Sequence, residues 1–411
     1  MHPQSKPSPT GLPTTRTARR QGSRAARADA TLLGGLSVDE FLRIHWQREP
    51  LLVRAALPDI KPPLDTQALI ELAQDDSVQS RLVTSFSGRW QLAHGPFEPD
   101  QVPSLRQSRW TLLVQAVNLH DDCTNKLMSR FRFIPDARLD DLMISLAANQ
   151  GGVGPHLDSY DVFLVQLWGK RRWRIAPPGN DRLKPGLPLK ILAQFEPTQE
   201  WLLEPGDMLY LPPGWAHDGI AEGPCMTGSV GFRAPSRHEF LREFLADAAE
   251  SPGGPDPRFG DRGRSRTARA AEVPVGLHRQ MRRWALDWRP TEKSVNDFIG
   301  RFLTEPAANV FFDAPPRLNE ARFFEASRRA GFQLDRRTRL LYRASRFHIN
   351  GESVAAPRLR PARKLLQTLA DLRELTAHEA GQAIANSELT QLLGDWARAG
   401  WLHPANSRMP P

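Results

Sequence analysis

Two cysteines in 411 residues, Cys123 and Cys225, leave no disulfide framework to build. Their scarcity excludes the small disulfide-stapled secreted scaffolds and fits a reducing, cytoplasmic setting. No apolar run approaches bilayer length, so no membrane-spanning helix is expected. Acid is scarce at one end: residues 1–30 carry Lys6, Arg16, Arg19, Arg20, Arg24 and Arg27 against Asp29 alone, among Pro, Ser and Thr. Such a segment has too little apolar surface to offset the entropy of ordering it, and a disordered basic tail is expected over 1–30. It lacks the apolar stretch of a secretory signal, although its Arg, Ser and Thr mimic a mitochondrial transit peptide. The formal net charge of +9 suits work beside polyanions without establishing nucleic-acid binding. What is plentiful is apolar content: 40% hydrophobic residues over this length support more than one core, and three units are expected after the tail.

Chemistry is concentrated in one stretch. Gly151-Gly-Val-Gly-Pro-His156-Leu-Asp158 is followed at a distance by Tyr210-Leu-Pro-Pro-Gly-Trp-Ala-His217. Residues i and i+2 of a strand project from one face, so His156 and Asp158 can share an ion. Glu204-Pro205-Gly206-Asp207 reads as a turn, Met208 to Leu211 as a strand, and Pro212-Pro213-Gly214 as a second turn that delivers His217. Two imidazoles and one carboxylate form the facial set that holds Fe(II) with open coordination positions. His156, Asp158 and His217 are therefore the expected metal ligands and catalytic centre. By contrast, His120-Asp-Asp-Cys123 looks like a zinc fragment short of partners.

Downstream, Val162 to Leu167 reads as a buried strand, Trp168-Gly169 as a turn, and Arg171 to Ile175 as an alternating strand. Parity places Arg171 on one face with Trp173 and Ile175, and Lys170, Arg172 and Arg174 on the other. An inward cation is costly without an anion, so an acidic ligand or a buried carboxylate should meet Arg171. On Cys225 to Arg233 the same period gathers Thr227 and Ser229 opposite Met226, Val230 and Phe232, and these hydroxyls are expected to complete the anion site.

From Asp140-Asp141-Leu-Met-Ile-Ser to Gly231-Phe-Arg-Ala-Pro235 the chain resembles the Jumonji-C, cupin-type 2-oxoglutarate oxygenases. Within them the pattern is most similar to the bacterial ribosomal oxygenases that hydroxylate an arginine of large-subunit ribosomal protein L-sixteen. The resemblance implies Fe(II), 2-oxoglutarate and O2 as cofactors, His156, Asp158 and His217 as iron ligands, and Arg171 as the group that takes the distal carboxylate of 2-oxoglutarate. The wider family usually has lysine there, and the planar fork of arginine suits a bidentate carboxylate clamp. Thr227 and Ser229 carry over as cosubstrate-binding candidates. Tyr160 and Asp161, beside the metal pair, are candidates for stacking on and pairing with a substrate arginine. The implied reaction is hydroxylation of that arginine, with 2-oxoglutarate leaving as succinate and CO2. Residues 1–30 then read as a bacterial extension.

The implied fold is α+β: a double-stranded β-helix (cupin or jelly-roll) catalytic domain over 31–236, a helical dimerisation segment over 237–304 and a C-terminal winged-helix domain over 305–411. Ser37-Val-Asp-Glu40 has the form of a capping box opening a helix to about Trp46. Leu51 to Asn149 reads as short strands with one helix near Thr66 to Gln74. Phe240, Leu241, Phe244 and Leu245 mark one amphipathic helix, and helical patterns return at Leu277 to Trp288 and Ser294 to Leu303. The resembled subgroup dimerises through such a segment, so a homodimer is expected. Further on, Leu340 to Tyr342 and Phe347 to Ile349 read as strands, with Asn350-Gly351 a tight turn. Helices follow at Leu365 to Leu375, after the cap Thr376, and from Ser387. The last of them pairs Glu388 and Asp395 with a lone Arg398, so nucleic-acid binding is not expected. Arg328, Arg329, Arg336, Arg337 and Arg339 read as a solvated face. Two rival readings are an inert metal-binding cupin and a ligand-sensing regulator that acts through the winged helix.

Overall fold

The computed structural model describes residues 31–179, 181–250, 258–263, 266 and 269–405. The expected basic tail lies outside these residues. Contacts divide the chain into two units that meet between Ala234 and Pro235.

In the first unit, helices α1 (Val38–Ile44), α2 (Thr66–Leu72) and α3 (Asp122–Ser129) accompany strands β1 (Leu51–Val53), β2 (Ser80–Phe86), β3 (Arg89–His94), β4 (Trp110–Val114), β5 (Leu139–Ala147), β6 (Val162–Ala176), β7 (Gln199–Leu203), β8 (Met208–Leu211) and β9 (Ala216–Phe232). These strands form one antiparallel sheet in the order β1-β8-β6-β9-β5-β4-β2-β3, with β7 alongside β6. Helix α1 begins as its sequence dictates: the Ser37 hydroxyl accepts from the Glu40 amide and the Glu40 carboxylate accepts from the Ser37 amide. Helix α3 is not expected from the sequence. Its N-cap is Asp121, which accepts from the Thr124 amide at 2.6 Å, so the carboxylate in His120-Asp-Asp-Cys123 satisfies a helix end rather than a zinc ion.

The centre of the sheet departs from the expected strand, turn and strand. Val162 to Ala176 is one continuous strand, bulged on either side of Trp168 where its register against β9 shifts. Gly169 permits this: its φ is +63°, and a Cβ there would lie 2.2 Å from the Pro224 carbonyl oxygen. The bulge also explains why both sequence patterns occur in one strand, since the extra residue changes which parity faces inward. Before it, Val162 to Leu167 is buried throughout; beyond it, Arg171, Trp173 and Ile175 are buried while Arg172 and Arg174 are not. Phe163 anchors the core against Phe131 (ring centroids 5.0 Å apart), Tyr210 (4.8 Å) and Phe41 (5.6 Å). Such aromatic pairs contribute about 0.5–1.5 kcal/mol each beyond the area they bury.

The second unit carries helices α4 (Arg237–Glu250), α5 (Val275–Asp287), α6 (Glu292–Thr304), α7 (Glu320–Ala330), α8 (Arg360–Leu372), α9 (Ala377–Ile384) and α10 (Ser387–Arg398). Its strands are β10 (Phe332–Leu334), β11 (Leu340–Arg343), β12 (Arg346–Ile349), β13 (Glu352–Ala355), β14 (Glu374–Leu375) and β15 (Leu402–Pro404). They form two small sheets, β14-β10-β15 and β11-β12-β13. The β12–β13 hairpin turns through Asn350 and Gly351, with φ of 46° and 86°, the left-handed pair that a two-residue turn demands. Helix α6 joins the wing, because the Gly351 amide donates to the Thr304 hydroxyl at 3.1 Å and Arg346 pairs with Asp297 at 2.9 Å. The expected solvated arginine face is partly internal. Arg336 is buried, and Arg337 bridges Asp335 (2.9 Å) and Asp313 (2.6 Å). No described helix is long and apolar enough to cross a membrane.

Candidate active site

His156 and Asp158 lie not on a strand but on an extended loop, and backbone pairing supplies the rigidity a strand would have given. The His156 amide donates to the His217 carbonyl at 3.0 Å, and the His217 amide returns the bond at 2.8 Å. This is a single antiparallel bridge. The Gly214 amide then donates to the Asp158 carbonyl at 2.8 Å, tying the Pro-Pro-Gly turn to the same loop. As a result the two imidazole rings stand 4.2 Å apart, and His217 Nε2 lies 3.7 Å from Asp158 Oδ2. Ligand atoms of His156, Asp158 and His217 all fall within 4.8 Å of one another, the one such group among the described residues.

The tautomers follow from the backbone. His156 Nδ1 is 2.9 Å from the Gly154 carbonyl oxygen and His217 Nδ1 is 3.0 Å from that of Trp215. A carbonyl can only accept, so each Nδ1 carries the proton and each Nε2 keeps its lone pair for a cation. Burial, aided by the neighbouring His156, lowers the His217 pKa to about 4 and keeps that imidazole neutral. Two neutral imidazoles and one carboxylate suit a divalent ion of the first transition row. The donor set fits Fe(II).

Arg171 points inward, as parity requires, and is 5% exposed. Of the two partners expected for it, an acidic ligand or a buried carboxylate, the second is absent among the described residues. Its Nη1 donates to the Ser145 hydroxyl at 3.2 Å, its guanidinium carbon lies 5.7 Å from the Trp173 ring centroid, and Nε and Nη2 are buried without a partner. A buried cation left with two idle donors is a poor structural element and a ready receptor for a carboxylate. The fold therefore fits 2-oxoglutarate as well as the metal.

The hydroxyls around it differ from expectation by one strand. Thr227 is buried on the expected face, but its hydroxyl donates to Gln166 Oε1 at 3.0 Å, and Gln166 Nε2 in turn donates to the Trp168 carbonyl at 2.8 Å. Ser145 on β5, the cross-strand partner of Thr227, is the hydroxyl that meets Arg171. It was legible only through the pairing of β5 with β9. Ser229 is half-buried, opposite Met143 and Leu164.

Asp161 is a clear correction. It is 0% exposed and accepts from the Tyr210 hydroxyl (2.7 Å), Gln47 Nε2 (3.0 Å) and Arg138 Nη2 (3.2 Å). This carboxylate ties the start of β6 to the turn after α1, to β8 and to the segment before β5, and is not presented to a substrate. Tyr160, in contrast, is 39% exposed. Burial of its hydroxyl end, with Asp158 and Asp141 nearby, raises its pKa, so the phenol stays protonated.

The chain matches the JmjC domain family over residues 126–240 and the ROXA-like winged helix over 282–403. It is 34% identical over 372 residues to the ribosomal protein uL16 3-hydroxylase of Escherichia coli, covering 89% of this chain and 97% of that one. It is 28% identical over 219 residues to human ribosomal oxygenase 1, covering 47% of this chain and 32% of the other. Among solved structures, a ribosomal oxygenase from Escherichia coli in complex with cobalt and 2-oxoglutarate aligns with a TM-score of 0.74 at 33% identity, covering 89% of this chain and 98% of that one.

Proposed function

This chain belongs to the JmjC-domain ribosomal oxygenases and is a 2-oxoglutarate-dependent dioxygenase using Fe(II) and O2, and from that premise we propose that it hydroxylates an arginine side chain of a large-subunit ribosomal protein. With iron and 2-oxoglutarate bound, O2 would be the oxidant, one of its oxygen atoms ending in the substrate's hydroxyl and the other in succinate as 2-oxoglutarate loses CO2. The observation that carries the reading is the convergence of His156, Asp158 and His217, together with a buried guanidinium that has two unpartnered donor nitrogens.

Each role follows from what the residues can do. His156 and His217 offer Nε2 lone pairs, and Asp158 contributes the one negative charge of the set. Arg171, oriented by Ser145, receives the distal carboxylate; Thr227 holds Gln166 and Ser229 lines the same face of β9. Tyr160 offers an exposed ring and a neutral hydroxyl to an incoming guanidinium. With Asp161 committed to the fold, the substrate's charge is met by other groups. The units serving these roles are the oxygenase domain over 31–236, the helical segment over 237–304 and the winged helix over 305–411. A ribosomal substrate would suit a cytoplasmic protein.

The decisive experiment incubates the protein with Fe(II), ascorbate, 2-oxoglutarate and ribosomal proteins of the same organism. A large-subunit protein is expected to gain the mass of one oxygen on an arginine-containing peptide. An unmodified set, together with full 2-oxoglutarate binding, would assign the enzyme to another substrate. An inert cupin would instead fail to show the visible charge-transfer band on anaerobic addition of 2-oxoglutarate to the Fe(II) protein.

Homodimerisation is proposed on separate grounds. None of the residues of α5 is buried, although it carries Met281, Trp284 and Leu286, and Leu241 and Leu245 of α4 are also exposed. Apolar patches of this kind mark protein interfaces. Sedimentation is expected to show a dimer, and Met281→Glu with Trp284→Glu a folded monomer; a monomeric wild type would refute the assignment. The last helix gives no support to a nucleic-acid role, since Arg398 on α10 is already engaged by Glu320 and Asp395.

A further inference from the structure

Trp173 lies close both to a residue of the proposed metal set, His217, and to Arg171. Its ring centroid is 5.9 Å from that of His217, and the Arg171 guanidinium carbon lies over the ring at 5.7 Å from the same centroid. The side chain is 5% exposed. Its six-membered ring faces β9, where a Cβ on Gly219 would lie 2.7 Å from Cη2 and Cζ3. Only glycine leaves room for the indole at that register, opposite Trp173 in the ladder. By the covalent geometry of indole, Nε1 is then on the edge turned away from Gly219. That N–H is buried and has no hydrogen-bond partner.

Buried indole N–H groups are almost always paired, because leaving one unsatisfied costs roughly 1–3 kcal/mol. A fold that needed only an apolar filler here could use phenylalanine. Trp173 and Arg171 sit two residues apart on one face of β6, and between them they hold three idle donor nitrogens: Nε1 of Trp173, and Nε and Nη2 of Arg171. No described acceptor answers any of them. One carboxylate offers about four lone-pair sites, enough for all three.

We infer that Trp173 is a cosubstrate-positioning residue whose indole N–H donates to the carboxylate that Arg171 receives. The inference rests on the oxygenase reading and adds to it a donor that fixes the direction of that carboxylate, where the guanidinium alone fixes mainly its charge. The ring's contact with Gly219 holds the donor in place.

The test uses the full-length protein loaded with diamagnetic Zn(II) and labelled with ¹⁵N at its indoles. The Trp173 signal is identified by its contact with Gly219. Adding 2-oxoglutarate is expected to move that signal downfield and slow its exchange with solvent. Calorimetry with Trp173→Phe, which keeps the ring bulk and removes the donor, should show 2-oxoglutarate binding weakened about 10- to 100-fold, as for loss of a hydrogen bond to a charged group. Zn(II) affinity should change less than roughly twofold. Binding of 2-oxobutanoate, which lacks the distal carboxylate, should be the same in both proteins. If 2-oxoglutarate binds but leaves the Trp173 signal unmoved, or if the variant binds it as tightly as wild type, or if 2-oxobutanoate suffers the same loss, the inference is overturned. If 2-oxoglutarate does not bind the wild-type Zn(II) protein, the oxygenase reading fails and takes this one with it.

Discussion

Asp158→Ala is expected to leave no measurable 2-oxoglutarate turnover and no tight Fe(II) binding, with the fold intact. The metal set holds one negative charge, and the substitution removes it. Two neutral imidazoles remain, still aligned by their bonds to the Gly154 and Trp215 carbonyls, but they must hold a dication without a compensating anion. Loss of a group that merely orients a ligand lowers metal affinity or activity about 10- to 100-fold, and loss of the sole anionic ligand should exceed that. Outside the site Asp158 holds the fold through its carbonyl, which accepts from Gly214 and survives the change, while its side chain meets Tyr160 and His217 within the site itself. Metal titration and succinate release measure the effect. Turnover at the wild-type rate with unchanged metal affinity would remove Asp158 from the metal set.

The second large effect separates binding from stability. Arg171→Met should weaken 2-oxoglutarate binding by about 2–5 kcal/mol, the range for truncating one partner of a buried charge pair, which is on the order of 30- to several-thousand-fold in Kd. Without ligand the sign reverses. Wild-type Arg171 is a buried cation whose only hydrogen-bond acceptor is a serine hydroxyl, so a thioether of similar length relieves a desolvation penalty. The ligand-free variant should therefore melt higher than ligand-free wild type, and added 2-oxoglutarate should raise the Tm of wild type alone. Calorimetric melting of both proteins with and without the oxo acid checks all four states. A variant that is less stable in every condition would mean that Arg171 is a structural residue.

The residues proposed for the site were easier to pick out from the sequence than the contacts that surround them. Two histidines and an aspartate could be found because their spacing is chemical, and Arg171 because a strand has a strict period of two. What stayed hidden depends on contacts between distant segments. Ser145 is apparent only once β5 is paired with β9, and no local pattern specifies that pairing. Asp161 looked available because it neighbours the metal pair, yet Tyr210, Gln47 and Arg138 claim it from three separate parts of the chain. The bulge at Trp168 reads as a turn in the sequence because a Trp-Gly pair punctuates either. Only the Pro224 carbonyl packed against Gly169 tells them apart. Capping boxes at Ser37 and Thr376 and the Asn350-Gly351 hairpin were legible for the opposite reason: their hydrogen bonds span a few residues.

The reciprocal amide bonds between His156 and His217 carry a consequence for the life of the protein in a cell. Because main-chain atoms, not the ion, join the two segments, stripping the iron need not melt the site. An ion-free molecule is therefore expected to hold both segments in register and to take up iron again without refolding.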